Sequence, residues 1–82
     1  MKNVIALSSL RPGEGGFVCR METVGSMRRR LRDVGLLEGA RVRCVGRSPG
    51  GDPAAYEICG AVLALRSADA AQIWLRKEES AW

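Results

Sequence analysis

Four arginines fall within the five positions from Arg28 to Arg32, in a chain of 82 residues with 13 basic side chains, 9 acidic ones and no histidine. A guanidinium is a planar, permanently charged fork of donors, so its chemistry is the grip of carboxylates and phosphates, not proton transfer. Nucleic acid, an anionic membrane leaflet and an acidic protein surface all answer to such a cluster. A solvated helix face answers to it too, with Arg29 and Asp33 spaced for an ion pair across one turn. Further along, Arg41, Arg43 and Arg47 alternate with Val42 and Cys44, as the outward positions of a strand would. Arg28, Arg29, Arg30, Arg32, Arg41, Arg43 and Arg47, with Pro49 in the turn that follows, are the candidate partner-binding residues.

Catalysis has little to stand on. The carboxylates form no recognisable acid/base pair, and there is no imidazole to move a proton near neutral pH. Gly13-Glu14-Gly15-Gly16 lacks the lysine and the serine or threonine that hold phosphates and magnesium, so it is no phosphate loop. Cys19, Cys44 and Cys59 are odd in number and form no Cys-x-x-Cys pair, which argues against a zinc or redox site. Strand alternation places Cys19 and Cys44 on the apolar face with Phe17, Met21 and Val42, as small buried hydrophobes, and Cys59 on the opposite face. The expectation is a protein without enzymatic activity, metal site or cofactor.

The elements that must carry these residues follow from composition and turn chemistry. The length suits one domain, expected over residues 1–77 with a frayed tail at 78–82. With 46% apolar but only 5% aromatic residues, its core must be aliphatic. The apolar run Ala61 to Leu65 is far short of the roughly 18 residues of a membrane span, and Val4 to Leu7 is too brief for a signal peptide. A soluble, cytoplasmic protein is expected.

Val4 to Leu10 is apolar, with Leu7 and Leu10 set to anchor one helical turn before Arg11-Pro12-Gly13. Phe17 to Met21 reads as a strand with Phe17, Cys19 and Met21 inward. Met27, Leu31 and Val34 recur at helical spacing, Gly35 stops that helix, and Gly39 offers a second turn before the strand Arg41 to Arg47. Arg47 to Pro53 is dense in turn formers, including Asp52 and Pro53, and reads as an exposed hairpin tip. Ala54, Tyr56 and Ile58 form the next inward set, Gly60 turns the chain, and Ala61 to Leu65 alternates again. Ser67 is placed to N-cap a helical turn from Ala68 to Ala71 with Asp69 near its start. Ile73 and Leu75 supply the last strand, and Lys77 to Trp82 reads as a tail. About five strands, one short basic helix after the first and a helical turn near the C-terminus make a mainly β chain, a small, partly open SH3-like barrel. The helix comes too early for an OB-fold.

Four segments in order carry a family resemblance: Leu7-Ser8-Ser9-Leu10-Arg11-Pro12-Gly13-Glu14, Arg30-Leu31-Arg32-Asp33-Val34-Gly35-Leu36-Leu37-Glu38-Gly39, Gly51-Asp52-Pro53 and Leu63-Ala64-Leu65-Arg66. In combination they resemble the FeoA family, over about Leu7 to Leu75. The resemblance implies a small cytoplasmic SH3-like bacterial domain, under a family-level label of transition metal ion binding, that accompanies FeoB. FeoB is a ferrous iron permease of the membrane with a GTP-binding soluble part, and either part is a candidate partner. The resemblance further implies membrane association only through that permease. Gly35, Gly39, Asp52, Pro53 and Gly60 carry over as turn or cap scaffold. One departure is visible: the family usually has a large apolar residue before Gly-Asp-Pro, where this chain has Gly50, so the loop tip is bare. The alternative is a nucleic-acid-binding barrel using the Arg28–Arg32 helix. Base stacking needs exposed aromatics, however, and Phe17 and Tyr56 are assigned to the core, so no nucleic acid partner is expected. Trp74 and Trp82 leave room for self-association.

Overall fold

Six strands frame the described residues. The computed structural model describes residues 4–78. In order these are β1 (Val4–Ala6), a single 3-10 turn (Leu7–Ser9), β2 (Gly15–Met21), α1 (Gly25–Asp33), β3 (Arg41–Arg47), β4 (Ala54–Ile58), β5 (Ala61–Leu65), α2 (Ser67–Ala70) and β6 (Ile73–Glu78). They form one sheet in the order β1-β6-β2-β3-β4-β5, and every neighbouring pair is antiparallel. β1 and β5 stand at its two ends and do not pair among the described residues, so the barrel is not closed. The sequence accounted for about five strands; the sixth, β1, is only three residues long and merges in sequence with the turn at Leu7.

The core is aliphatic, as the composition requires. Leu7, Leu10, Leu31, Leu36, Ile58, Ile73 and Leu75 are each at most 2% exposed. At roughly 1.5–3 kcal/mol per buried side chain of this size, they dominate the favourable side of folding. Tyr56 is the one buried aromatic among the described residues; its hydroxyl points at the Leu7 carbonyl at 3.5 Å, and burial raises its pKa.

Turn chemistry sets the connections. Gly35 ends the helical segment at φ 97°, a backbone conformation that favours glycine, and a Cβ there would sit 2.8 Å from the Cys59 sulfur, which would have to turn away. Cys59 and Gly60 both have positive φ between the paired residues Ile58 and Ala61, the two-residue hairpin geometry that matches the strands' twist.

Two bulges decide which side chains face inward, and period-two reading of the sequence does not reveal them. On β2, Val18 pairs with Leu75 and Arg20 with Trp74, so Cys19 is an extra residue. Val18 is therefore inward before the bulge and Met21 after it, whereas Phe17 is 42% exposed and Cys19 is exposed. Of the expected inward set Phe17, Cys19 and Met21, only Met21 is buried. On β3, Cys44 pairs with Tyr56 and Gly46 with Ala55, leaving Val45 extra. Val42 and Cys44 are buried as expected, but Arg47 comes to pair with the buried Ala54 and so lies on the inner face, not the outer one.

Three further expectations change. Ser67 is the first residue of α2, not its cap: the N-cap position is Arg66, which makes no side-chain capping bond. Lys77 and Glu78 belong to β6 and pair with Gly16 and Gly15, so the strand runs past the expected start of the tail; residues 79–82, with Trp82, lie outside the described residues. Val34, expected on the apolar stripe of the helix, is 37% exposed at its C-cap, while Leu31 is buried and Met27 packs partly against the core.

Candidate partner-binding surface

α1 brings Arg28, Arg29, Arg30 and Arg32 to the surface because Leu31 and Met27 hold its opposite side against the core. Its N-cap, Val24, makes no side-chain cap bond, and its first turn carries no acidic residue. Arg30 and Arg32 lie in the last turn, where positive charge is favourable beside the free carbonyls. Arg28 is the helix's bonded arginine: it donates to the Met21 carbonyl at 3.4 Å and lies 3.9 Å from Glu38. The expected Arg29–Asp33 pair is not among the ion pairs of the described residues, and Arg29, Arg30 and Arg32 stay exposed.

The arginines of β3 are placed differently. Arg41 forks onto Glu78, with Nε 3.1 Å from Oε1 and Nη2 3.3 Å from Oε2. Arg43 donates to Glu57 at 2.6 Å, the residue that faces it across the β3–β4 ladder. Arg47 donates to the carbonyls of Ser8 at 2.8 Å and Gly51 at 3.1 Å, and to that of Leu10, so one guanidinium ties the 3-10 turn to the hairpin tip. Pro49 is exposed in that tip. Asp52 accepts from the Ser67 amide at 2.8 Å and from the Ser67 hydroxyl at 3.1 Å, which makes it the cap of α2 supplied from across the fold.

The eight candidates do not gather into one patch. Arg28, Arg29 and Arg32 line a shallow hollow with Gly25, while Arg41 and Arg43 line another with Glu57 and Cys59. Arg30 faces a third space, a cleft of about 310 Å³ between α1 and β5, lined by Met27, Leu31, Val34, Leu63, Ala64 and Leu65 together with Arg30, Arg66 and Asp69. Sequence reasoning passed over Arg66 and this cleft. The signal for them was the run Ala61 to Leu65, five residues of a strand with neither a charge nor a proline.

On the catalytic side, no three His, Cys, Asp or Glu side chains converge among the described residues. Glu14 has its pKa lowered, chiefly by accepting the Arg11 amide and also by Lys77, whose ammonium lies 3.0 Å from Oε2. Both contacts fix the turn before β2. No helix of the described residues is long and apolar enough to cross a membrane.

This architecture and these motifs have known counterparts. The family model for the FeoA domain matches residues 5–77. The chain belongs to the FeoA family. A Porphyromonas gingivalis Fe(2+) transport protein A/Fe(2+) transporter FeoB fusion protein is 34% identical over 67 residues, 82% of this chain but 8% of that protein's length. The solution structure of the FeoA protein from Chlorobium tepidum superposes with a TM-score of 0.80 at 33% identity, covering 84% of this chain and 66% of that one. The Stenotrophomonas maltophilia FeoA complexed with zinc, a prokaryotic SH3 domain protein, superposes with a TM-score of 0.78 at 27% identity, covering 90% and 95%. The FeoA family thus accounts for the open SH3-like sheet, and the Porphyromonas gingivalis relative is named for Fe(2+) transport.

Proposed function

We propose that this chain is a non-catalytic accessory protein of ferrous iron uptake, acting in the cytoplasm by binding the GTP-binding region of a FeoB-type permease. The observation that carries this is the fusion protein of Porphyromonas gingivalis, in which a segment similar to this chain shares one polypeptide with FeoB. Joining two units in one chain raises their effective concentration and enforces equal stoichiometry, a gain only where the two work together.

The exposed arginines of α1 support the contact. Arg29, Arg30 and Arg32 keep their charge toward solvent, whereas the arginines of β3 are engaged by carboxylates and carbonyls. An acidic surface on the permease's soluble part would meet them without displacing an internal bond, and would gain in association rate from the field they set up.

Isothermal titration of this protein against the permease's soluble GTP-binding region, with and without nucleotide, tests the reading. Binding at micromolar affinity or tighter is expected, and the double charge reversal Arg29→Glu with Arg32→Glu should weaken it by at least about tenfold, or 1.4 kcal/mol. An absence of binding in every nucleotide state would sink the proposal as stated. Unchanged affinity in the double variant would move the contact off α1.

A further inference from the structure

β5 is an edge strand, and edge strands in soluble proteins are commonly blunted by charge, proline, a bulge or a covering element. β5 has no blunting residue of its own: Ala61 to Leu65 holds no charge and no proline, and its ladder with β4 runs without a register shift. Val62 is 64% exposed. By contrast β1, at the other end of the sheet, is three residues long, and both β2 and β3 carry bulges.

The hairpin geometry tells which backbone groups are free. In a two-residue hairpin the flanking residues, here Ile58 and Ala61, are a hydrogen-bonded pair. Bonding to β4 then falls to Ala61, Leu63 and Leu65, and the N–H and C=O groups of Val62 and Ala64 face the open side. The cleft of about 310 Å³ lies between this strand and α1, lined by Leu63, Ala64 and Leu65 of β5 and by Met27, Leu31 and Val34 of α1. Arg30 and Arg66 line it against a single carboxylate, Asp69, so the cleft joins apolar side chains with a net positive charge.

We infer that this cleft takes an extended, alternately apolar segment of the partner protein, flanked by carboxylates, as an additional strand on the edge of β5. Backbone pairing to Val62 and Ala64 supplies the affinity common to any strand, the α1 wall selects apolar side chains at alternate positions, and Arg30 and Arg66 select acidic flanks. That the segment belongs to the permease rests on the accessory reading above; the strand-docking chemistry does not.

Amide hydrogen exchange of the full chain, followed residue by residue by NMR, tests it with two probes: the permease's soluble region, and a short peptide of alternating valine and threonine with glutamates at both ends. Slowing of the Val62 and Ala64 amides by at least about tenfold is expected with either probe. Val62→Pro, which removes an edge donor without removing a β4 bond, should weaken binding by about tenfold. Arg66→Glu should do the same for the acidic peptide, and reads the inference independently should the proline variant lose its fold. If neither probe slows these amides while calorimetry still shows the permease region bound, the inference falls and the accessory role stands. Slowing by the peptide with no permease binding upholds the cleft and sinks the accessory role; if neither probe binds, both readings fall. Slowing without any probe that grows with protein concentration would make the occupant a second copy of this chain and overturn the assignment.

Discussion

The arginines of α1 and those of β3 are similarly dense in the sequence, yet they are in opposite circumstances in the fold. In β3 a residue's cross-strand neighbours are fixed about 5 Å away by the ladder, and the sheet sets Glu57 opposite Arg43 and brings Glu78 to Arg41. In α1 the neighbours are residues three or four away, and the one carboxylate among them, Asp33, is in no ion pair of the described residues; of the four arginines Arg28 reaches a carboxylate, Glu38, on the segment that follows the helix. Net charge read from a sequence therefore overstates the charge offered to a partner. Much of the β3 charge is used internally, and the charge left available is that of α1 and of the α1–β5 cleft.

Among the strand arginines, Arg47 is the most deeply engaged. It bonds three backbone carbonyls from a partly buried position, and removing it strands them. Arg47→Ala should lower stability by about 3 kcal/mol, seen as a fall in the urea midpoint, and Arg47→Lys should recover only part, because an ammonium cannot fork across the same acceptors. A loss below about 0.5 kcal/mol would place Arg47 with the surface charges and erase the distinction. Asp52 ranks next. Without its carboxylate the Ser67 amide at the start of α2 loses its partner, and Asp52→Ala should cost about 1 kcal/mol by the same measurement.

The Arg43–Glu57 pair contributes less, since both side chains are about a third exposed. Glu57→Gln should cost only about 0.2–1 kcal/mol, and the cost should shrink in high salt. Glu14 adds a pH signature. Its folded pKa lies below the ordinary 4.5, so its contribution is present above that value and is lost as pH falls through the lowered one. Stability measured across acid pH should therefore fall less steeply in Glu14→Gln than in the natural protein; identical slopes would remove Glu14 from the account.

These differences mark where the sequence could be read and where it could not. The α1 stripe at Leu31 and Met27, the stop at Gly35, the hairpin turn at Gly60 and the alternation of Ala54, Tyr56 and Ile58 were all legible, because each is a local demand written in adjacent residues. The phase of β2 and the direction of Arg47 were not, since a bulge is fixed by pairing with a strand elsewhere in the chain: β6 for Cys19 and β4 for Val45. Period-two alternation counts the extra residue as an ordinary one and reverses every side chain on one side of it. The Asp52–Ser67 cap was hidden for a related reason. Its donor and acceptor are fifteen residues apart, so Ser67 looked like a cap for its own helix while it is in fact capped by another segment.

The smallest expected effect on stability is also the one that tests what the helix arginines are for. Arg29 and Arg32 are exposed, and neither belongs to an ion pair of the described residues. Replacing both with glutamine keeps the helix preference of the side chains while removing two charges. Only the favourable placement of Arg32 beside the helix's free carbonyls is lost, so stability should change by no more than about 0.5 kcal/mol. Affinity for the permease's soluble region should nonetheless fall, and fall less at high salt, because the missing interaction is a screened one between surfaces. A variant that loses more than about 1 kcal/mol of stability would show that these arginines serve the fold after all, and the contrast between helix and strand would become one of degree.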